Sequence, residues 1–231
     1  MRATNVCYFL SMSLHATVRS IRRNPWFAAT AVLTLALGLG AAVSIFTVVN
    51  RVLLAPLPYS HPDRLVWIST WNKDRGQYSK SSGFDFNVWK QQTDTFDAVE
   101  AYWDRAYTIT GTSRPEGLAG WQFTAGLFSL LGTPPAAGRT FLPDEEQPGR
   151  DAVVVLSDDL WRRRFDARST VVGDSIELDG RAHTIVGVMP PTFAHPYPNA
   201  QMWTPGELSS AALADRKQRP YRVVARLRDG V

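Results

Sequence analysis

The chain has 231 residues, 45% of them apolar and 20% charged, with a net charge of +4. That composition excludes a disordered chain, and the single cysteine, Cys7, excludes an intrachain disulfide framework. The positive charge is confined to one end: residues 1–51 hold Arg2, Arg19, Arg22, Arg23 and Arg51 and no acid, whereas the remainder carries 20 basic and 21 acidic side chains. A net charge of −1 over 180 residues argues against a nucleic-acid binder.

In chain order, Leu14, Val18 and Ile21 recur at helical spacing with His15, Arg19 and Arg22 between them, which predicts an amphipathic helix on a membrane surface within residues 1–25. Residues 26–50 come next. Trp26 to Val49 contains no charge, and its only polar side chains are Thr30, Thr34, Ser44 and Thr47, whose hydroxyls can bond back to their own helix. At ~1.5 Å per residue this run crosses a ~30 Å hydrocarbon core. It exceeds the apolar region of a signal peptide, although Ala41 and Ala42 keep cleavage as a competing reading. Asn24 suits the N-cap and Pro25 the first turn. Arg19, Arg22 and Arg23 outnumber Arg51 and Arg64, so the N-terminus is expected in the cytoplasm and residues from about 52 outside the plasma (inner) membrane. Gly38 with Ala42 and Gly40 with Ser44 form small-xxx-small pairs, expected to leave one helix face bare for packing against another helix.

Residues 51–64 read as a proline-stiffened connector (Pro56, Pro58, Pro62), and residues 65–231 as an α+β extracytoplasmic domain of short mixed elements. "LVWISTW" (65–71) has strand composition, and "GFDFNVWKQQ" (83–92) suits a short helix. "AVEAYWDRAYTITG" (98–111) is read as two strands about a tight turn. "EGLAGWQFTAGLFSLLG" (116–132) predicts a strand running into a helix that Gly132 ends. In "AVVVLSDDLWRRRF" (152–165) a strand precedes a helix capped by Ser157, with Asp158 and Asp159 on its positive end. "DSIELDGRAHTIVGVMP" (174–190) predicts a hairpin about Asp179-Gly180, and "YRVVARLRDGV" (221–231) a last strand.

Catalytic patterns are weak. "GTPPAAGRT" (132–140) has Arg139 where a phosphate loop needs lysine, and a Pro-Pro pair where amides would face phosphate. "DEEQ" (144–147) lacks the ligand spacing of a cation site and is expected to be a solvated loop. His15, His61, His183 and His195 never fall at i, i+4, and no G-x-S-x-G is present. Tryptophans such as Trp67, Trp89 and Trp161 are expected to pack in the core rather than to stack on ligands. No catalytic, cofactor or metal residues are expected, and the domain reads as non-enzymatic.

The ordered series "RRNPWFAATAVLTLALGLGAAVSIFTVVNRVLLAPLPY", "HPDRLV", "GLFSLLGTPPAAGRTFLPDEE", "VVVLSDDLWRRRF", "VVGDSIELDGRAHTIVGVMP" and "YRVVARLRDGV" resembles the N-terminal part of a MacB/FtsX-type ABC transporter permease with a MacB-like periplasmic core domain. The resemblance implies a permease subunit whose outer domain transmits ATP-driven motion to exported substrate or partner proteins. The implied partners are a separate ABC ATPase subunit, which would bind the ATP, a second permease copy or half, periplasmic proteins and the lipid bilayer. Further membrane helices of the family would follow the domain, so the chain reads as an N-terminal fragment. The competing readings are a membrane-tethered binding module for envelope components and a tethered enzyme.

Overall fold

The computed structural model describes residues 25–49, 59–73, 76–111, 115–193 and 195–230. The surface helix expected near the N-terminus, the Asn24 cap and residues 51–58 of the connector lie outside the described residues. The chain divides into two compact units, Met1–Pro56 and Leu57–Val231.

In the first unit, helix α1 spans Pro25–Val49. Its 25 residues give a length of about 37 Å, and the stretch Pro25–Thr47 is apolar enough to cross a membrane. All four hydroxyls bond back to carbonyls a turn earlier: Thr30 to Phe27 at 2.9 Å, Thr34 to Thr30 at 2.8 Å, Ser44 to Gly40 at 2.7 Å and Thr47 to Val43 at 2.7 Å. Each hydroxyl is thereby satisfied without water, as hydrocarbon requires.

The second unit is built from strands β1 (Leu65–Ile68), β2 (Thr70–Asn72) and β3 (Gln77–Ser79), helix α2 (Gly83–Lys90), and strands β4 (Phe96–Ile109) and β5 (Glu116–Phe123). Helix α3 (Leu127–Leu131), β6 (Ala137–Gly138), β7 (Val153–Leu156), helix α4 (Asp158–Phe165), β8 (Ser175–Leu178) and β9 (Arg181–Val188) follow. Strand β10 (Met202–Pro205), helix α5 (Ser210–Ala214) and β11 (Arg222–Leu227) complete it. Nine strands form one sheet in the order β1-β11-β4-β5-β10-β7-β9-β6, while β8 pairs with both β9 and β4; β2 and β3 form a separate ribbon. Mixed strand directions and peripheral helices make this an α+β domain.

Because β8 reaches both neighbours, the ladders β4-β5-β10-β7-β9-β8 close on themselves. One apolar cluster takes side chains from all six strands, among them Ile109, Leu118, Leu156, Leu178, Ile185 and Met202. Closure of this kind removes free edges from that half of the sheet. A buried polar pair in that ring satisfies itself: Tyr107 Oη lies 2.7 Å from Thr204 Oγ1. The open half, β1-β11-β4, is covered on one side by α2 and α5 through Phe86, Val99, Ala101, Tyr221, Val223 and Ala225. On the other side α3 and the segment around Phe193 cover Tyr102, Phe123, Trp203 and Val224.

Local chemistry accounts for the boundaries. Ser82 caps α2 by accepting from Asp85 N, and Asp85 bonds back to Ser82 N in a capping box. Ser157 accepts from Leu160 N at 3.1 Å, as expected for α4. Gly132 stops α3 at φ 71°, and Asp179-Gly180 turns the β8–β9 hairpin with both φ values positive, 50° and 81°.

Residues 98–111 do not contain the expected turn. Phe96–Ile109 is one strand of 14 residues, and the polar Asp104 and Arg105 near its middle pair straight across to Trp121 and Gly120. These polar residues are exposed where β4 passes from the open half, pairing with β11 as far as Tyr102, into the closed ring. Gly120 lets the Tyr107 ring lie over β5, since a Cβ there would press on Tyr107 Cδ2 and Arg105 O.

Candidate coupling site

The segment Tyr59–Arg64 brings the chain into the domain and is fastened to it at several points. Ser60 N donates to Leu131 O at 3.1 Å, tying the backbone to the last turn of α3. Arg226, on β11, directs its guanidinium at three carbonyls: Nη1 donates to Ser60 O at 2.7 Å and His61 O at 3.3 Å, and Nη2 donates to Leu130 O. Leu130 O is one of the carbonyls that a helix end leaves without an intrahelical partner, so the arginine satisfies α3 and the incoming segment together.

A short 3₁₀ turn, Pro62–Arg64, follows; its N-cap, His61, holds φ 48° with no side-chain cap. From it Arg64 reaches the outgoing end of β11. Nε donates to Leu227 O at 2.8 Å, Nη2 also bonds that carbonyl, and the same guanidinium pairs with Asp97 at 2.5 Å and Asp229 at 2.7 Å. In the sheet itself, Leu65 lies opposite Arg226 in antiparallel register. The first and last strands of the domain are therefore neighbours, cross-braced by two arginines. Nothing in the spacing of Arg64 and Arg226, 162 positions apart, announced this; "HPDRL" read only as the end of a proline-stiffened connector and "RVVARL" as a strand.

Beside this brace lies an aromatic nest. His195 is enclosed by the rings of Tyr102, Tyr59, Phe123 and Phe193, with centroids 4.8, 5.9, 5.9 and 6.5 Å away. Its buried Nε2 has no hydrogen-bond partner. Burial alone brings its pKa down to about 4. Glu100 is also buried, and its pKa is raised chiefly by desolvation; Thr124 Oγ1 donates to it.

Three sequence expectations are corrected here. The "DEEQ" segment is only in part a solvated loop: Asp144 and Gln147 are exposed, but Pro143–Glu146 winds into a 3₁₀ turn. Glu145 is buried, chelates Arg139 at 2.7 and 3.0 Å and accepts from Leu142 N at 2.8 Å, while Glu146 accepts from Ala125 N at 2.5 Å. The arginine that spoils the phosphate-loop pattern is thus half of a structural ion pair. Trp67 is not a core residue: it is 56% exposed, because β1 is an edge strand and only one flank of the ring meets Tyr102, at 5.9 Å. Trp89 and Trp161 are part-buried against their clusters. Finally, Gly38, Gly40, Ala42 and Ser44 do not share a face. At about 100° per residue, positions two apart stand on opposite sides of a helix, so α1 carries two small-residue stripes, Gly38/Ala42 and Gly40/Ser44.

A cleft of about 480 Å³ is lined by Ser157, Asp158, Asp159, Phe193, Gln201, Pro190, Pro191 and Pro198. Ser157 is spent as a helix cap and Asp158 pairs with Arg162 at 2.7 Å. Among the described residues, no group of three or more His, Cys, Asp and Glu side chains is placed to hold a metal ion.

The chain thus joins an apolar helix long enough to span a bilayer to a mixed domain that is closed in one half and braced where it begins. The family model described as the MacB-like periplasmic core domain matches residues 28–231, and the chain belongs to that family. Among solved structures, a domain of a protein described as a permease from Porphyromonas gingivalis is similar with TM-score 0.59 and 18% identity, over 75% of this chain and 79% of that one. The periplasmic region of MacB from Actinobacillus actinomycetemcomitans gives 0.54 and 15%, over 72% and 75%. The extracellular domain of the ABC-type transporter YknZ from Gram-positive bacteria gives 0.50 and 12%, over 72% and 83%. At these identities the likeness is one of fold. No curated protein matches.

Proposed function

We propose that this chain is a permease component of a MacB/FtsX-type ABC transporter whose outer domain passes ATP-driven motion to exported substrate or partner proteins. In this reading α1 spans the plasma (inner) membrane with its N-terminus in the cytoplasm. The ATP is bound by a separate ABC ATPase subunit, and a second permease copy or half completes the assembly. One observation carries the reading: the incoming segment is held to the sheet by Arg226 and Arg64, so a displacement arriving through it acts on the domain and not on a loose tail. Connector prolines Pro56, Pro58 and Pro62 favour the same outcome.

The test replaces the residues equivalent to 55–63 by Gly/Ser in a complete homologous permease with its ATPase. ATP hydrolysis is expected to continue while export falls; unchanged export overturns the reading. A second reading, an anchored binding module for envelope components, is favoured by the exposed aromatics Trp67, Trp71 and Tyr78. Binding of isolated envelope material to the outer domain, lost in the triple alanine variant, would support it.

A further inference from the structure

We infer that Arg226 is the positioning residue of this coupling, holding the backbone of Ser60 and His61 against helix α3 ahead of strand β1. The inference rests on the transmission reading above. Strand β1 begins only at Leu65, yet the chain is already immobilised five residues earlier, and the donors responsible are few.

The three groups that Arg226 binds are all backbone carbonyls, from two segments far apart in sequence. No change of side chain on the incoming segment could supply or remove those acceptors, so the specificity of the clasp lies in the arginine. A planar fork with five donors can serve three carbonyls at once, whereas the point charge of a lysine on a flexible stem cannot hold the same geometry. His61 supplies the second argument. Its left-handed φ of 48° is disfavoured for a residue with a Cβ, and with no cap of its own the turn depends on bonds to its carbonyl from Arg64 N at 3.1 Å and from Arg226. Arg64 then ties the far end of the same turn to Leu227, Asp97 and Asp229. Arg64 therefore fixes the outgoing strand to the turn, while Arg226 fixes the turn and Ser60 to helix α3. Without Arg226 the segment would keep Arg64, the Ser60 N–Leu131 O bond and the packing of Tyr59 on His195, but the carbonyls of Ser60 and His61 would lose the guanidinium that joins them to α3.

The experiment is amide hydrogen exchange on the full chain in lipid nanodiscs, comparing wild type with R226A and R226K. The Ser60 amide, bonded to Leu131 O, is expected to exchange at least tenfold faster in R226A, with the Ala101 and Phe123 amides of β4 and β5 unchanged. An unchanged rate at Ser60 overturns the clasp. If R226A loosens the whole sheet, R226K decides by the same two readings. The matching lysine variant in a complete homologous permease is then expected to export several-fold less per ATP hydrolysed. Faster exchange at Ser60 with full coupling would leave the clasp standing and remove its role in transmission, which separates the two failures.

Discussion

Ser60 and Gly132, 72 positions apart, are in contact through the glycine's missing side chain: Ser60 Oγ lies 3.5 Å from Gly132 O, and a Cβ on Gly132 would overlap both Oγ and Cβ of Ser60. Gly132 also holds φ 71° at the end of α3. Two constraints of different origin thus fall on one residue. The left-handed conformation costs an L-residue roughly 1–2 kcal/mol, and forced overlap adds about 1–3 kcal/mol. G132A is expected to lose about 3 kcal/mol in urea unfolding of the outer domain. S60G in the same chain removes the overlap but not the backbone strain, so the double variant should recover roughly half of that loss. A double variant no more stable than G132A would show that Ser60 is not what the glycine accommodates.

Acid should weaken the domain through His195. Its folded pKa of about 4 lies below the ordinary 6.5, so the unfolded chain binds the proton more readily. Stability is then complete above pH 6.5 and falls as the pH drops from 6.5 towards 4, by roughly 3 kcal/mol over the window. Asp104, lowered to about 2 by Lys80 and Arg222, titrates beneath that range and cannot cause the loss. Unfolding free energies measured between pH 4 and 7.5 should show this slope in wild type and a flatter one in H195F, the remainder coming from His183, whose pKa burial also lowers. Equal slopes would place the titrating group elsewhere.

The elements legible in the sequence were those specified by neighbours along the chain. The Ser157 cap, the Asp179-Gly180 hairpin, the Gly132 stop and the back-bonded hydroxyls of α1 each need only a few adjacent residues, and each formed as expected. What failed depended on distant partners. Residues 98–111 read as two strands about a turn because nothing local reveals that Asp104 and Arg105 pair straight across to Trp121 and Gly120. Glu145 looked solvated because Arg139 is poor evidence of a buried pair until the backbone folds over it. The Arg226 brace was illegible, since its acceptors are carbonyls, which carry no sequence signal.

Two tryptophans separate the edge from the core. Trp203 is fully buried, packs on Phe123, Phe128 and Phe193, and donates to His195 O at 3.1 Å. W203A should cost about 4 kcal/mol or more, from the cavity and the lost bond together. Trp67 stands on edge strand β1, more than half exposed, so W67A should cost about 1 kcal/mol or less. Thermal unfolding of the two variants checks the order; equal losses would mean that Trp67 is covered in the folded protein.

Cys7 provides an orientation test without engineering, as the only cysteine in the chain. In intact cells it should resist a membrane-impermeant maleimide and react after lysis, whereas D229C in a C7S background should react in intact cells. Asp229 is 91% exposed at its side chain, so access is not limiting. Labelling of Cys7 from outside, or protection of D229C, would reverse the arrangement predicted from the flanking arginines.

The two stripes on α1 make the last prediction. A Cβ built at Gly38 or at Gly40 meets nothing within 4 Å among the described residues, so no contact among those residues explains either glycine. Small residues on opposite sides of a membrane helix suit two different neighbours, each approaching one stripe. G38L and G40L should therefore weaken different associations, each by about 1 kcal/mol, while L39V, between the stripes, should be neutral. Site-directed cross-linking along α1 in the assembled transporter checks this, with the partner bands lost in G38L compared with those lost in G40L. Loss of the same band in both would collapse the stripes into one interface, and loss in neither would make these glycines ordinary membrane composition.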